Sequence, residues 1–290
     1  MVMGERINMN IYYNIKFKSY GINRVISALS ESLPKDVVST NDPSNADLVI
    51  LHVIGRNQHV TKYARQLKDE GKEYVVIQYS LESTRNPDTQ DWEYLWNNAK
   101  FVWSYYDLGK YISSFYHAPL ASNPSVFYKE NQTKKYLVGT NGNCYKEECI
   151  GENQLATWQA GGKSLHVGER FNSDPIVEYF PNVSDDEFRT LYNLCNYFSC
   201  LRRKDGFEIV AIESLLCGTR PIMFDTPNYR QWFDGLAEFI PEASVGETVG
   251  NLKRLFKKEP RSVTNEEIEE TKRRFNWQTI EKGFWEKCTI

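Results

Sequence analysis

Short apolar runs alternate along this chain with stretches whose apolar positions recur every three to four residues, the succession of strands and helices that builds a doubly wound α/β domain. Asn10 to Phe17 reads as a first strand and Lys18 to Asn23 as a turn, after which Val25, Ile26, Leu29 and Leu33 mark a helix stopped at Pro34. Asp47 to Ile54, Tyr74 to Gln78 and Lys100 to Ser104 follow as buried strands. The polar stretch Lys129 to Lys135 has the character of a linker, and Tyr136 to Thr140 opens a second series. There Ser184 is an N-cap, Glu187 completes a capping box, and Phe188, Leu191, Tyr192 and Cys195 share one helical face. A strand from Tyr197 to Leu201, an apolar helix ended by Gly218 and a strand from Arg220 to Asp225 complete the pattern.

Length turns this pattern into two domains rather than one, because 290 residues exceed the usual single core. With 41% hydrophobic and 25% charged residues there is apolar material for both. No apolar run approaches the roughly 18 residues of a membrane span and the N-terminus has no signal-peptide core, so a cytoplasmic protein without stable membrane insertion is expected. A net charge of −3 and a pI near 5.9 count against a broad DNA-binding face. The six cysteines lack C-x-x-C spacing and read as reduced core thiols. The sequons at Asn131 and Asn182 carry no weight without a secretory route.

The chemistry concentrates between Asp205 and Ile222, where two carboxylates, Asp205 and Glu213, stand eight positions apart across a Gly-containing turn and an apolar helix. An acid in the turn suits sugar hydroxyls, the helix start offers free N–H groups to a diphosphate, and Glu213 lies two turns along for a ribose. The competing reading is an amphipathic helix with Ile209, Ile212, Leu215 and Leu216 inward and both acids solvated. Arg202, Arg203 and Lys204 are either phosphate cations or a solvated loop. His52 falls at the carboxyl end of a strand, the end that faces ligands in open α/β sheets, and is otherwise a satisfied core histidine. Gly21 sits in the turn after the first strand, where backbone amides approach a phosphate or acceptor.

The passage from Asp205 through Gly206, Phe207, Glu208 and Glu213 to Cys217-Gly218-Thr219 resembles the nucleotide-sugar signature of retaining GT-B glycosyltransferases, family 4 in particular. It departs in having Asp205 for the usual Glu and Glu208 for the second Gly. Val183 to Phe198, the run ending in His52, His117 to Phe127, and Phe275 to Ile280 before a last helix are similar to further family segments. The resemblance implies a GT-B architecture, two Rossmann-like doubly wound domains facing a cleft, with residues 1–130 and a returning helix 275–290 on the acceptor side and 131–274 binding the nucleotide-sugar. It implies a transferase using a nucleoside-diphosphate sugar and a glycan or small-molecule hydroxyl acceptor, from a virus or bacterium.

Asp205, His52 and Lys146 are then the catalytic candidates. Gly206, Phe207, Glu208, Glu213, Arg170, Arg203, Gly139 and Thr140 are the donor-binding ones, with Gly21 at the acceptor or phosphate loop. Relatives carry an Arg where Thr140 stands. No D-x-D pair occurs, so neither metal nor other cofactor is expected. A transferase for DNA bases and a non-catalytic nucleotide or sugar binder on the same fold remain open alternatives.

Overall fold

The computed structural model describes residues 9–14, 20–54, 58–81, 90–142, 146–170, 176–203 and 206–289. Asp205, Lys18, Ser19, Lys204 and Cys144 lie outside them. The chain divides into two compact units, residues 1–120 with 205–207 and 277–290, and residues 121–204 with 208–276.

The first unit runs β1 (Met9–Asn14), α1 (Tyr20–Glu31), β2 (Val37–Ser39), β3 (Leu48–Val53), α2 (Gln58–Asp69), β4 (Glu73–Gln78), α3 (Gln90–Asn97), β5 (Val102–Ser104) and β6 (Phe115–His117). Its strands pair in parallel in the order β2-β1-β3-β4-β5-β6. All of β3 and most of β4 are buried, as expected of central parallel strands covered on both faces. Helix α2 inserts Val60, Ala64 and Leu67, at helical spacing, into that core. Helix α1 starts earlier than the sequence pattern suggested. Ile22 extends the buried stripe of Val25 and Leu29 by one turn, so Gly21 lies in the first helical turn rather than in a loop.

The second unit runs β7 (Tyr136–Asn141), α4 (Ile150–Gln159), β8 (Ser164–Val167), β9 (Val177–Phe180), α5 (Asp185–Asn193), β10 (Cys195–Ser199), α6 (Ile209–Leu216), β11 (Arg220–Phe224), α7 (Pro227–Phe233), β12 (Glu238–Ile240), α8 (Val245–Phe256) and α9 (Asn265–Arg274). Its strands too are parallel, in the order β12-β11-β10-β7-β8-β9. The expected capping box is present, with Ser184 accepting from the Glu187 amide and Glu187 from the Ser184 amide. Helix α5 stops at Asn193, short of Cys195. Cys195 pairs in register with Tyr136 as the first residue of β10, and sheet pairing overrides its place on the helical stripe. Gly218, at φ +73, takes the left-handed turn that ends α6 and lets the Thr219 amide reach the Ser214 carbonyl at 2.8 Å.

The stretch Lys129 to Lys135 belongs to the second unit and is pinned to it. Lys134 Nζ donates to Thr219 Oγ1 at 2.9 Å and the Glu130 amide to Asn193 Oδ1 at 2.7 Å, while Lys129 Nζ donates to the Val263 carbonyl at 3.4 Å. Desolvation brings the Lys134 ammonium down to about 8.

A last helix, α10 (Trp277–Thr289), returns to the first unit. Phe284 packs on Phe101 and Trp103 at ring separations of 5.5 and 5.4 Å. Trp285 donates through Nε1 to Ser32 Oγ at 3.2 Å, and the Tyr116 hydroxyl donates to the Ile280 carbonyl at 2.8 Å. Gly283 admits that tyrosine, since a Cβ there would lie 2.5 Å from its oxygen. The described cysteines, Cys149, Cys195, Cys200, Cys217 and Cys288, are free and buried. Among the described residues no helix is long and apolar enough to cross a membrane.

Candidate functional site

In an open parallel sheet the strand order reverses at one point, and the carboxyl ends of the two strands flanking it diverge to leave a ligand crevice. The reversal falls between β1 and β3 in the first unit and between β7 and β10 in the second. Most of the sequence candidates lie at these strand ends or on the segments that follow them.

In the second unit the loop leaving β10 is held by charge. The Arg203 amide donates to the Glu147 carbonyl at 2.8 Å. Its guanidinium reaches Glu152 Oε1 at 2.9 Å and the Ala243 carbonyl at 2.8 Å. Arg202 pairs with Glu148 and with Glu208, Nε to Oε1 at 3.2 Å. Two adjacent arginines thus fasten the loop ahead of Gly206 to the segment 146–152, which Lys146 opens on an exposed face. Arg203 is committed to these partners rather than presented to solvent. Glu208 is 5% exposed, and burial raises its carboxyl pKa while the Arg202 guanidinium opposes the rise. Because that side chain turns to Arg202, it makes no capping bond to the N-terminal amides of α6.

Every residue of α6 is buried, Glu213 completely, so of the two acids Glu213 is not solvated. A carboxylate removed from water must be met by donors. Tyr192 supplies its hydroxyl to Glu213 Oε2 at 3.0 Å, and the Ser122 hydroxyl reaches Oε1 at 3.4 Å. Tyr192 is itself fixed by stacking on Phe188 at 4.4 Å and by the edge of Phe198 at 4.6 Å. Sequence reasoning missed Ser122 and Glu148 to Glu152. Tyr192 was legible as part of the capped helix but not as the partner of Glu213.

At the end of β7, Gly139 is a packing residue: a Cβ there would stand 2.6 Å from the Phe198 ring and 3.0 Å from Cys195 Sγ. Thr140 is buried, its hydroxyl 2.9 Å from His166 Nδ1, and burial lowers that imidazole to about 4. Arg170, after β8, is exposed and lies over the Tyr179 ring at 5.6 Å. Gly206 and Phe207 are half-buried, with the Phe207 ring 4.9 Å from that of Tyr105, inside the first unit.

The first unit presents a different chemistry at its reversal. His52, next to last in β3, is 9% exposed. Its Nδ1 lies 2.8 Å from the Tyr79 hydroxyl, the rings stacked at 5.8 Å and 12°, with Tyr13 of β1 on another side at 6.2 Å. Beside it, Trp96 Nε1 donates to Gln78 Oε1 at 3.1 Å, Gln78 Nε2 to the Ser80 carbonyl at 2.8 Å, and the Ser104 hydroxyl to the Gln78 carbonyl at 3.1 Å. The corner has neutral hydrogen-bonding groups, and burial lowers the His52 imidazole to about 3. Among the described residues no group of three or more His, Cys, Asp or Glu side chains is placed to hold a metal ion.

No family model matches the sequence, and no curated protein does. Solved structures match its fold along nearly all of its length. HepE of Anabaena, solved in complex with UDP and glucose, superimposes with a TM-score of 0.77 at 10% identity, over 97% of this chain and 99% of that one. The chain has the GT-B fold. AviGT4, a glycosyltransferase of avilamycin A biosynthesis, matches with a TM-score of 0.64 at 11% identity over 96% of both chains. Sucrose-phosphate synthase from Thermosynechococcus elongatus gives 0.65 at 15%, over 84% of this chain and 73% of its own.

Proposed function

We propose that the protein transfers a sugar from a nucleoside-diphosphate donor to a hydroxyl of a glycan or small-molecule acceptor, with retention of configuration and without a metal. The observation that carries this reading is the segment Gly206 to Ile222, laid out as loop, α6 and β11 directly after the strand at which the second sheet reverses. The donor's diphosphate lies at the uncapped start of α6, where backbone amides and the helix dipole favour anions. Lys146 and Arg170 offset the charge on the departing phosphate. Arg203 acts at one remove by fixing the loop. Asp205, with the backbone of Gly206 and Phe207, takes the sugar hydroxyls, and Glu213 takes the ribose by sharing the carboxylate that Tyr192 and Ser122 hold. His52 and the start of α1 at Gly21 serve the acceptor. The bond from the anomeric carbon to the phosphate oxygen breaks as the acceptor oxygen bonds on the same face, and the acceptor proton passes to the leaving phosphate.

The test is a thermal-shift series with UDP, GDP, ADP, TDP and CDP, with and without magnesium, on the wild type and Glu213→Gln. A ligand that binds only the native state adds about 2.7 kcal/mol of stability at a hundredfold excess over its Kd. One nucleotide is expected to stabilise the wild type without magnesium and to lose that effect in Glu213→Gln. No stabilisation by any of the five overturns the reading. A second reading, binding without turnover, draws support from two side chains: Thr140, bonded to His166 where relatives have Arg, and Glu208, ion-paired where they have Gly. Release of free sugar from the stabilising donor, even slowly, rules it out.

A further inference from the structure

We propose that Tyr79 is a positioning residue that fixes His52 as the Nε2–H tautomer, so that His52 meets a carbohydrate oxygen as a neutral hydrogen-bond donor and not as a base. The proposal rests on the transferase reading for the ligand, but its geometry lies wholly within the first unit.

The Tyr79 hydroxyl and His52 Nδ1 are 2.8 Å apart, and either could donate. The two arrangements leave different numbers of buried groups unsatisfied. Among the described residues this is the one hydrogen bond of the Tyr79 hydroxyl, and His52 Nε2 is buried without a partner. If Nδ1 carried the proton, the phenolic hydrogen would lose its acceptor and the Nε2 lone pair would also stand unmet, leaving two buried groups unsatisfied. If the phenol donates to Nδ1, both atoms of that bond are satisfied and a single N–H remains, at Nε2. Buried polar groups left unmade are costly, so the arrangement with one is preferred. Burial raises the Tyr79 phenol well above its usual range, which keeps its proton in place to donate. Stacking at 12° and the bond from the Tyr79 amide to the Val53 carbonyl at 2.9 Å hold the two rings in register, one strand end beside the next.

An Nε2–H donor in a buried, uncharged surround has a narrow chemistry. It cannot remove a proton from an acceptor hydroxyl, because its one lone pair is occupied by Tyr79. It can hydrogen-bond a sugar oxygen, and a buried donor rejects a ligand that offers no acceptor at that point.

Nitrogen-15 shifts of labelled wild type and Tyr79→Phe read the tautomer directly, with no turnover required. The wild type is expected to show Nδ1 as the unprotonated nitrogen, and Tyr79→Phe to show a mixture or the reverse. In transfer assays Tyr79→Phe is expected to lower kcat by about tenfold to a hundredfold, as loss of orientation does, with the donor KM unchanged. His52→Gln, which keeps an N–H near the ε position, is expected to retain part of the activity that His52→Ala loses. A protonated Nδ1 in the wild type overturns the proposal, as does a Tyr79→Phe protein with unaltered tautomer and kcat. Equal loss in His52→Gln and His52→Ala overturns the donor role. If the wild type transfers no sugar while its shifts show the Nε2–H form, the transferase reading fails and the tautomer assignment stands.

Discussion

The two sheets are built alike, six parallel strands each, yet their reversal points are furnished in opposite ways. At the first, His52 of β3 meets the Tyr79 hydroxyl, and the adjoining strand ends carry a second neutral set, Gln78 with Trp96 and Ser104. The second gathers ions, Arg202 and Arg203 against Glu148, Glu152 and Glu208, with Glu213 buried nearby under Tyr192 and Ser122. A parallel sheet fixes where a ligand sits but not what kind, because backbone geometry is common to both and only the side chains at the strand ends differ. Under the proposed function this difference is a division of labour: charged groups order the loops around a charged nucleotide, and neutral donors suit uncharged hydroxyls.

The dependence of the second unit on charge is most severely tested at Arg220. This side chain, in β11, is wholly buried and forks onto Glu267 at 2.8 and 2.7 Å, with further bonds to the carbonyls of Leu236 and Ser262. Arg220→Met is expected to cost about 3–5 kcal/mol in urea unfolding, since it removes the forked partner of Glu267 and the donor to the Arg261, Leu236 and Ser262 carbonyls. Pairing it with Glu267→Gln, which removes the charge but keeps an acceptor for the Thr264 amide at the start of α9, should return part of that loss; equal instability in single and double variants would show that the carbonyl bonds, not the ion pair, matter.

A smaller effect is expected at Gly139. Gly139→Ala places a methyl into Phe198 and Cys195, and overpacking of this kind costs about 1–3 kcal/mol. If the variant is instead fully stable but blind to nucleotide, Gly139 serves the ligand and not the sheet.

The neutral corner of the first unit predicts a pH dependence. The folded pKa of His52, about 3, lies below its unfolded value near 6.5, so between these limits the unfolded chain binds the extra proton. Stability from this group is therefore complete above pH 6.5 and falls on acidification, by about 1.4 kcal/mol per pH unit, until pH 3. His52→Gln should flatten this part of the profile. An unchanged slope would place the acid sensitivity in the second unit, in the buried His166 or the ion pairs.

The strands with long apolar runs were legible in the sequence. Leu48–Val53, Glu73–Gln78 and Arg220–Phe224 appear within a residue or two of their expected limits, because a strand covered on both faces carries a nearly continuous apolar run. Val37–Ser39 and Phe115–His117, three residues each, show no periodicity and were not. The candidate site was legible in part. The run from Gly206 to Gly218 marked its own helix and stop, but Lys129 to Lys135 read as a linker because nothing local shows that Lys134 is held by Thr219, some 85 residues away.

Local spacing by itself determined the strand and helix succession, the capped helix at Ser184, the turn at Gly218 and the position of two carboxylates on one short segment. These follow from the periods of the backbone and from capping chemistry, which act over a few residues. Only the tertiary structure decided that Glu213 is met by the hydroxyls of Tyr192 and Ser122, that Arg203 braces a loop, that Gly139 yields to an aromatic ring, and that Tyr79 stands against His52. Each depends on which strand ends become neighbours, and parallel pairing joins residues far apart in the chain.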